Sequence, residues 1–401
     1  MNHNDTQHFK SLSIADFDYP LSDDRIAKYP LKERDHSKLL HYKEGAISEA
    51  RFYNLPDLLP EESLLVINDT RVIRARLVFH RATGSRIEVF CLDPEEPKLY
   101  ELSLSSRHSC VWHCLVGNAK KWKEPLLSIA LPDGETFSAE RIDPERGLVR
   151  FSWTGEATFG EMLDRLGELP IPPYLNRQTE ESDLTTYQTV YAVREGSVAA
   201  PTAGLHFTEE VLRKLTEKGI RIARLTLHVG AGTFLPVKGK TMGEHTMHSE
   251  VIRVTRDTLK ELYLQKKAGK PIVAVGTTST RTLESLYYMG GNILKGEDKP
   301  YHVEQWDPYG DKFEGISTLQ ALEALQAEEV LGSTQLLIEP GFQYRMVDKL
   351  ITNFHQPHST LLLLIAALVG DDWRAIYDYA LTHDFRFLSY GDSSLLEPRK
   401  R

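Results

Sequence analysis

The chain has little cysteine, less positive than negative charge and no long hydrophobic run. Its 401 residues include three cysteines, and such an odd, sparse set cannot form a disulfide framework, so we expect a reducing, cytoplasmic location. Lys and Arg number 48 against 57 Asp and Glu, a formal net charge of −9. This excludes a surface that attracts nucleic acid everywhere but allows a local basic patch. The longest apolar run, residues 361–369, is about half of the ~20 residues that a membrane helix needs. We therefore expect a soluble protein with no membrane partner.

The composition that remains is typical of a globular protein, 41% hydrophobic and 26% charged, and two domains are the usual expectation at this length. From residue 76 to residue 153, short runs rich in β-branched and aromatic residues alternate with turn signals such as the Pro-Asp-Gly at residues 132–134. No helical periodicity of useful length separates these runs. The pattern predicts a small antiparallel β-barrel.

The sequence that follows has a different pattern. Residues 208–219 begin with a threonine N-cap, carry acids in the first turn and end at a glycine, which is typical of a helix, and residues 222–229 read as a strand. The same order recurs at residues 259–275, and residues 346–351 lead into the apolar run at residues 361–368. Alternating helices and strands predict an α/β layered domain.

The apolar strand at residues 64–67 precedes the β-rich segment, so we expect the barrel to be inserted into the α/β domain. The predicted fold class is therefore α/β, with a layered catalytic domain formed by residues 1–75 and 156–401 and an inserted antiparallel β-barrel domain formed by residues 76–155. Residues 292–333 are polar and acidic, and we interpret them as a surface elaboration.

Ligands of α/β sheets bind beyond the carboxyl ends of the strands, so the residues that follow each apolar run form the candidate site. Four runs are followed by clusters of glycine, hydroxyl, histidine and arginine residues, and a fifth cluster precedes the first predicted helix. These clusters are residues 68–71, 228–233, 276–281, 352–360 and 200–207.

Residues 276–281 pass from a buried strand into a helix, where free backbone N–H groups suit a carboxylate or a phosphate; simple N-capping by Ser279 or Thr280 is the alternative. The Gly-Ala-Gly at residues 230–232 is a weak signal for a dinucleotide or methyl-donor loop, because the third glycine is missing. His245 and His248 lie close together without a full ligand set, so no metal site is expected.

The clusters recur together with further segments along nearly the whole chain. These segments are residues 21–30, 68–73, 167–174, 187–191, 198–207, 227–234, 247–250, 275–285, 340–344, 352–364 and 386–392. In this combination the chain resembles the S-adenosylmethionine:tRNA ribosyltransferase-isomerase family of queuosine biosynthesis.

The resemblance implies an α/β domain that carries an inserted β-barrel, in agreement with the pattern above. It also implies transfer of the ribosyl unit of S-adenosylmethionine to 7-aminomethyl-7-deazaguanine at the wobble position of the tRNA anticodon region. The ribosyl unit is isomerised to an epoxycyclopentanediol, which gives epoxyqueuosine in tRNA and releases adenine and methionine. S-adenosylmethionine is then a consumed substrate rather than a cofactor, no metal or redox cofactor is needed, and we expect a monomer.

The reaction needs a base for the carbon next to the sulfonium and an acid for the departing adenine, and histidine has a suitable pKa for either. The resemblance makes His206, His228, His248, His355 and Glu250 the candidates, without individual assignment. Thr277, Thr278 and Arg281 are expected to hold the methionine carboxylate, and Asn68, Asp69 and Arg71 the ribose, base or phosphate. The remaining expected substrate-binding residues are Thr202, Gly230, Gly232 and Asn353.

A local basic surface is needed for tRNA because the net charge is negative. The densest run of arginines lies near the domain junction, and we expect part of that surface there; it consists of Arg71, Arg74, Arg76, Arg81 and Arg86.

Three alternatives stay open. A paralogue with a different substrate is suggested by departures from the family pattern at Arg74, Leu184, Glu339 and Ser393-Ser394. An S-adenosylmethionine-dependent methyltransferase would use the glycines at residues 230–232 but leaves the other clusters without a role. A non-catalytic RNA-binding module would explain the barrel but not the histidines.

Overall fold

The structure is a computed structural model and describes residues 8–230 and 239–398. Its strands are β1 (Lys38–Lys43), β2 (Ala46–Arg51), β3 (Leu64–Asn68), β4 (Thr70–Val72), β5 (Arg76–His80), β6 (Arg86–Glu96), β7 (Ser109–Gly117), β8 (Leu127–Ala130), β9 (Thr136–Asp143), β10 (Leu148–Trp153), β11 (Gly167–Glu168), β12 (Arg194–Ser197), β13 (Arg221–Leu227), β14 (Glu250–Thr255), β15 (Ile272–Val275), β16 (His302–Val303), β17 (Glu329–Thr334), β18 (Lys349–Asn353) and β19 (Ser393–Glu397).

The α-helices that lie wholly within these residues are α1 (Leu55–Leu58), α2 (Tyr100–Leu104), α3 (Phe159–Leu166), α4 (Asp183–Thr186), α5 (Glu209–Glu217), α6 (Arg256–Lys267), α7 (Gly276–Lys295), α8 (Thr318–Ala324), α9 (Thr360–Val369) and α10 (Asp372–Thr382).

A ten-stranded mixed sheet forms the larger layer, in the order β16-β17-β14-β13-β3-β15-β18-β19-β1-β2. Its four central strands, β13, β3, β15 and β18, are parallel, so their carboxyl ends lie at one edge. Every residue of β3 is buried, as expected for a strand with helices on both faces.

The two faces of this sheet pack into separate hydrophobic cores. Leu65 and Ile67 point to the face that is covered by Phe207 and α5. Leu64 and Val66, which alternate with them along β3, point to the face that is covered by α7 and α9. This alternation follows from the two-residue period of a strand, and it confirms the predicted α/β layering.

The β-rich segment forms a seven-stranded antiparallel sheet, in the order β11-β5-β6-β7-β10-β9-β8. The sheet curls around its own aromatic core, in which Phe79 and Phe137 stack with ring centroids 6.2 Å apart. Its two edge strands are not paired with each other within the described residues. The same core includes Phe159 and Met162 of α3, so the packing of this unit extends past residue 155. In the sequence, the curled sheet falls between β3 and β13 of the large sheet.

Two sequence predictions need correction. The run at residues 361–368 is not a strand after a helix: residues 349–353 are the strand and residues 360–369 the helix, which Ser359 caps by accepting from the Leu362 N–H at 3.3 Å. The helix is buried nearly all round, so its sequence carries little periodicity to identify it.

Residues 292–333 are not a surface elaboration. They supply α8, the edge strand β16 and most of the neighbouring strand β17. Their apolar side chains, such as Val303 and Phe313, are buried in the main core. The prediction was wrong because these few buried apolar residues lie within a stretch of mostly polar composition.

Candidate functional site

A cavity of about 1290 Å³ opens at the carboxyl ends of the central parallel strands. Gly230 follows β13, Gly276 follows β15 and Asn353 ends β18, and all three line it. The opposite side is lined by Leu92 and Asp93 of β6. The cavity therefore lies between the large sheet and the curled sheet.

The structure separates the predicted site residues into two groups. Eight line the cavity: Thr202, Gly230, His248, Thr277, Thr278, Arg281, Asn353 and His355. Six do not belong to the lining: Asn68, Asp69, Arg71, His206, His228 and Glu250. Gly232 lies outside the described residues.

Arg281 lines the cavity and has one hydrogen-bond donor that no described residue uses. Its Nη1 forms an ion pair with Glu250, and its Nε donates to the Leu336 carbonyl at 3.1 Å. Its Nη2 is buried and has no hydrogen-bond partner among the described residues. A buried guanidinium N–H without a partner is costly, so this donor is well suited to an anionic ligand group.

The N-terminus of α7 faces the same cavity. Gly276 has φ +83°, which turns the chain from β15 into the helix, and no side chain caps the first turn. The alternative of capping by Ser279 or Thr280 is therefore not observed; the Thr280 hydroxyl donates to the Gly276 carbonyl at 3.0 Å instead. Thr277 and Thr278 line the cavity beside these amides. Uncapped amides, hydroxyls and Arg281 together form an anion-binding corner.

Two of the predicted histidines face the cavity. The side chain of His248 is 37% exposed, and its Nε2 is 3.9 Å from Glu250 Oε1. Burial lowers the pKa of His248, although the charge of Glu250 opposes this shift. His355 is held by its Nε2 at 2.9 Å from the Thr352 hydroxyl, and burial lowers its pKa to about 3. Both rings are therefore neutral near pH 7, and His248 is the better base of the two.

His206 lies behind the cavity wall. Its Nε2 accepts from the Asn353 amide at 3.0 Å and its Nδ1 is 2.9 Å from the Ser37 hydroxyl. The Asn353 carbonyl oxygen in turn accepts from Thr202 at 2.9 Å. Burial lowers the pKa of His206 to about 4. Both ring nitrogens of His206 therefore have hydrogen-bond partners within the protein, and the ring supports the cavity wall through Asn353.

His228 and Asn68 are used in the same way at the end of β13. His228 Nδ1 is 3.1 Å from the Thr70 hydroxyl. Its ring packs on Tyr100 of α2, which belongs to the core of the curled sheet, with centroids 4.3 Å apart. Burial lowers its pKa to about 4. The Asn68 amide donates to the Leu227 carbonyl at 3.0 Å and accepts from the Leu227 N–H at 3.0 Å. These residues tie the strands and the two sheets together.

Asp69 and Arg71 point away from the cavity. Asp69 accepts from the Thr226 hydroxyl at 2.7 Å and lines a separate, smaller cavity with Arg194 and Arg224. Burial raises the pKa of Asp69. Arg71 is exposed and lies 3.8 Å from Glu195. Neither lines the main cavity.

The five arginines expected to bind tRNA each have a carboxylate neighbour. The pairs are Arg71 with Glu195, Arg74 with Asp164, Arg76 with Glu88, Arg81 with Glu124 and Arg86 with Glu88. Their charge is therefore largely balanced, and the run is a weaker phosphate-binding surface than its sequence indicated.

Sequence reasoning missed Asp93 and considered His245 only as a metal ligand, yet both line the cavity. Asp93 lies in the middle of a strand of the other sheet, and no motif marks it. His245 could have been noted because it lies three residues before His248.

The described residues contain neither a cluster of metal ligands nor a helix that could cross a membrane. No group of three or more His, Cys, Asp or Glu side chains within residues 8–230 and 239–398 could hold a metal ion. None of the helices in these ranges is both long and apolar enough to cross a membrane.

Comparison with known proteins places these features in context. The family model of queuosine biosynthesis proteins matches residues 14–396. The S-adenosylmethionine:tRNA ribosyltransferase-isomerase of Trichlorobacter lovleyi is 38% identical over 387 residues, which cover 96% of this chain and 99% of the relative. The protein of the same name from Syntrophotalea carbinolica is 39% identical over 389 residues, 96% of this chain and all of the relative.

A solved structure is also similar. The crystal structure of an S-adenosylmethionine tRNA ribosyltransferase from Thermotoga maritima is 27% identical, covers 94% of this chain and 99% of its own, and gives a TM-score of 0.47.

Proposed function

The chain belongs to the queuosine biosynthesis protein family, and from this premise we propose that it catalyses the reaction for which its relatives are named. As an S-adenosylmethionine:tRNA ribosyltransferase-isomerase, it would transfer the ribosyl unit of S-adenosylmethionine to 7-aminomethyl-7-deazaguanine at the wobble position of tRNA. Isomerisation of this unit gives epoxyqueuosine, and adenine and methionine are released.

The observation that carries the proposal is the anion-binding corner formed by Arg281 and the first turn of α7. Arg281 Nη2 is buried and unpartnered among the described residues, and the amides of the first turn are uncapped. Their combination matches the carboxylate of the methionine part of S-adenosylmethionine, since an anion would satisfy all of these donors at once. Glu250 holds the guanidinium by its other side and is a positioning residue in this proposal.

His248 is our candidate for the base that removes a proton from the carbon next to the sulfonium. It lines the cavity, its ring is partly exposed, and Glu250 connects it to the same corner as Arg281. A neutral imidazole can accept the proton, and the neighbouring carboxylate stabilises the imidazolium that forms.

We propose that the curled sheet, as the inserted domain, contributes to tRNA binding through the turn after β7. Lys120, Lys121 and Lys123 are exposed there and form no ion pair within the described part of the chain. Arg141 lies 5.9 Å above the Trp122 ring beside them. Uncompensated lysines on one turn attract phosphates better than paired arginines do.

This surface is tested by charge reversal. Lys120→Glu and Lys121→Glu should weaken tRNA binding and reduce its salt dependence, each lost phosphate contact lowering the log–log slope by at most about 0.9. Arg86→Glu is the matched control on the same sheet and should have a smaller effect. If Arg86→Glu weakened tRNA binding more than the lysine variants, the run of arginines rather than the lysine turn would be the tRNA-binding surface.

The reaction itself is tested by product analysis. Labelled S-adenosylmethionine and tRNA that carries 7-aminomethyl-7-deazaguanine should give adenine and methionine in equal amounts, and tRNA with guanosine at that position should give neither. Formation of S-adenosylhomocysteine instead would identify a methyltransferase and contradict the proposal.

We also propose that the reaction requires no metal and that the protein acts as a monomer. Exhaustive chelation should leave turnover unchanged, whereas activity lost on chelation and restored by zinc would contradict the first statement. Light scattering at the assay concentration tests the second.

A further inference from the structure

Asp93 brings a carboxylate of the curled sheet into the cavity. It lies on β6 and lines the cavity beside Leu92. The pairing of β6 with β7 shifts register between Cys91 and Asp93 and again between Pro94 and Glu96. Such bulges change the direction of side chains and are common next to functional sites. Here they flank the two residues that the curled sheet contributes to the lining.

The Asp93 side chain is anchored on one side. Its Oδ1 accepts from the Tyr100 hydroxyl at 2.7 Å, and the Tyr100 ring packs on His228. Among the described residues, none donates a hydrogen bond to its Oδ2 and no Lys or Arg forms an ion pair with it. A half-buried carboxylate without a cationic partner favours a positively charged ligand group.

We propose that Asp93 binds the protonated aminomethyl group of the tRNA base. This inference rests on the proposed function, which supplies a base that carries a primary amine. S-adenosylmethionine also carries positive charge, but its carboxylate would be bound by Arg281 and α7 on the large-sheet side of the cavity. Asp93 lies on β6 of the curled sheet, which lines the other side of the cavity. Asp93 is therefore assigned to recognition of the base.

Binding without S-adenosylmethionine tests this assignment directly. Two tRNAs that differ only at the wobble position, one with 7-aminomethyl-7-deazaguanine and one with guanosine, are titrated against the wild type and two variants. The wild type should prefer the aminomethyl base about 10-fold or more, as a charge-assisted hydrogen bond allows. Asp93→Asn keeps the shape and should bind both tRNAs alike. Glu95→Gln, on the same strand, is the control and should keep the preference.

The affinity for the guanosine tRNA separates recognition from folding. Asp93→Asn should bind this tRNA as the wild type does, and an equal loss for both tRNAs would overturn the assignment. It would also be overturned if the variant kept the preference, or if only the KM for S-adenosylmethionine rose, which would place the sulfonium next to Asp93. Adenine release by the wild type is measured separately, so failure of the proposed function is distinguishable from failure of this inference.

Discussion

The cavity wall and the layer behind it contain the same kinds of residue in different situations. In the wall, the His248 ring is partly exposed, and Arg281 has a buried Nη2 that finds no hydrogen-bond partner among the described residues. In the packed layer, which consists of Asn68, His206 and His228, the side chains make hydrogen bonds within the protein. Both groups lie near the ends of the same strands. A polar residue at a strand end can therefore act on a ligand only if its hydrogen-bonding groups are not already used within the protein.

The largest effect is expected for His248. His248→Ala should reduce kcat by about 10²-fold or more, because general base catalysis contributes about that much. His206→Gln is the matched control from the packed layer and should retain most of the turnover at a temperature where it is folded. Steady-state kinetics of adenine release decides between them. Equal losses of kcat in the two variants would contradict the distinction between wall residues and the packed layer.

A smaller effect is expected for Arg281. Arg281→Lys can keep the ion pair with Glu250 but loses the planar fork and the unpartnered Nη2. The KM for S-adenosylmethionine should rise about 10-fold or more, as a lost charge-assisted hydrogen bond costs roughly 1.5–3 kcal/mol. The affinity for tRNA in the absence of S-adenosylmethionine serves as the control and should not change. An unchanged KM would count against the carboxylate assignment.

The burial of His206 in the packed layer should make the stability of the protein depend on pH. Burial lowers the pKa of His206 from 6.5 to about 4, so between these values the unfolded chain binds a proton that the folded protein excludes. Stability should therefore fall as the pH drops from about 7 towards 4, and His206 should account for about 2 kcal/mol of the loss at pH 5. Urea unfolding of the wild type and His206→Gln at pH 7 and pH 5 measures this, and the variant should lose less. Parallel losses in both proteins would argue that His206 is not the group concerned.

The smallest effect is expected for Thr202, which lines the cavity and also donates to Asn353 of the hydrogen-bonded chain that includes His206. Thr202→Val should cost about 1 kcal/mol of unfolding free energy through the lost hydrogen bond and should change kcat much less than His248→Ala. Urea unfolding and adenine release are measured on the same preparation. A loss of kcat comparable to that of His248→Ala would indicate that Thr202 takes part in the reaction.

Much of the architecture could be predicted from the sequence. The alternation of helix and strand signals predicted the α/β layering. The run of short β-branched segments predicted an antiparallel β-barrel, and these segments form a curled antiparallel sheet. The unpredicted parts are those that tertiary packing decides. The helix at residues 360–369 is apolar on every side, so periodicity could not distinguish it from a strand. Residues 302–303 are too short to be recognised as a strand without the neighbouring β17.

The sequence by itself determined where the candidate residues would gather, because the carboxyl ends of parallel strands lie at one edge of a sheet. It could not determine which of them face a ligand. That choice depends on hydrogen bonds between distant parts of the chain, such as Ser37 to His206 and Asn353 to His206. In the folded protein, His206 supports the cavity wall and Arg281 Nη2 has no hydrogen-bond partner among the described residues. Asp93 reaches the cavity from the other sheet. The availability of a polar group depends on its neighbours in space, and those of His206 lie far from it in the sequence.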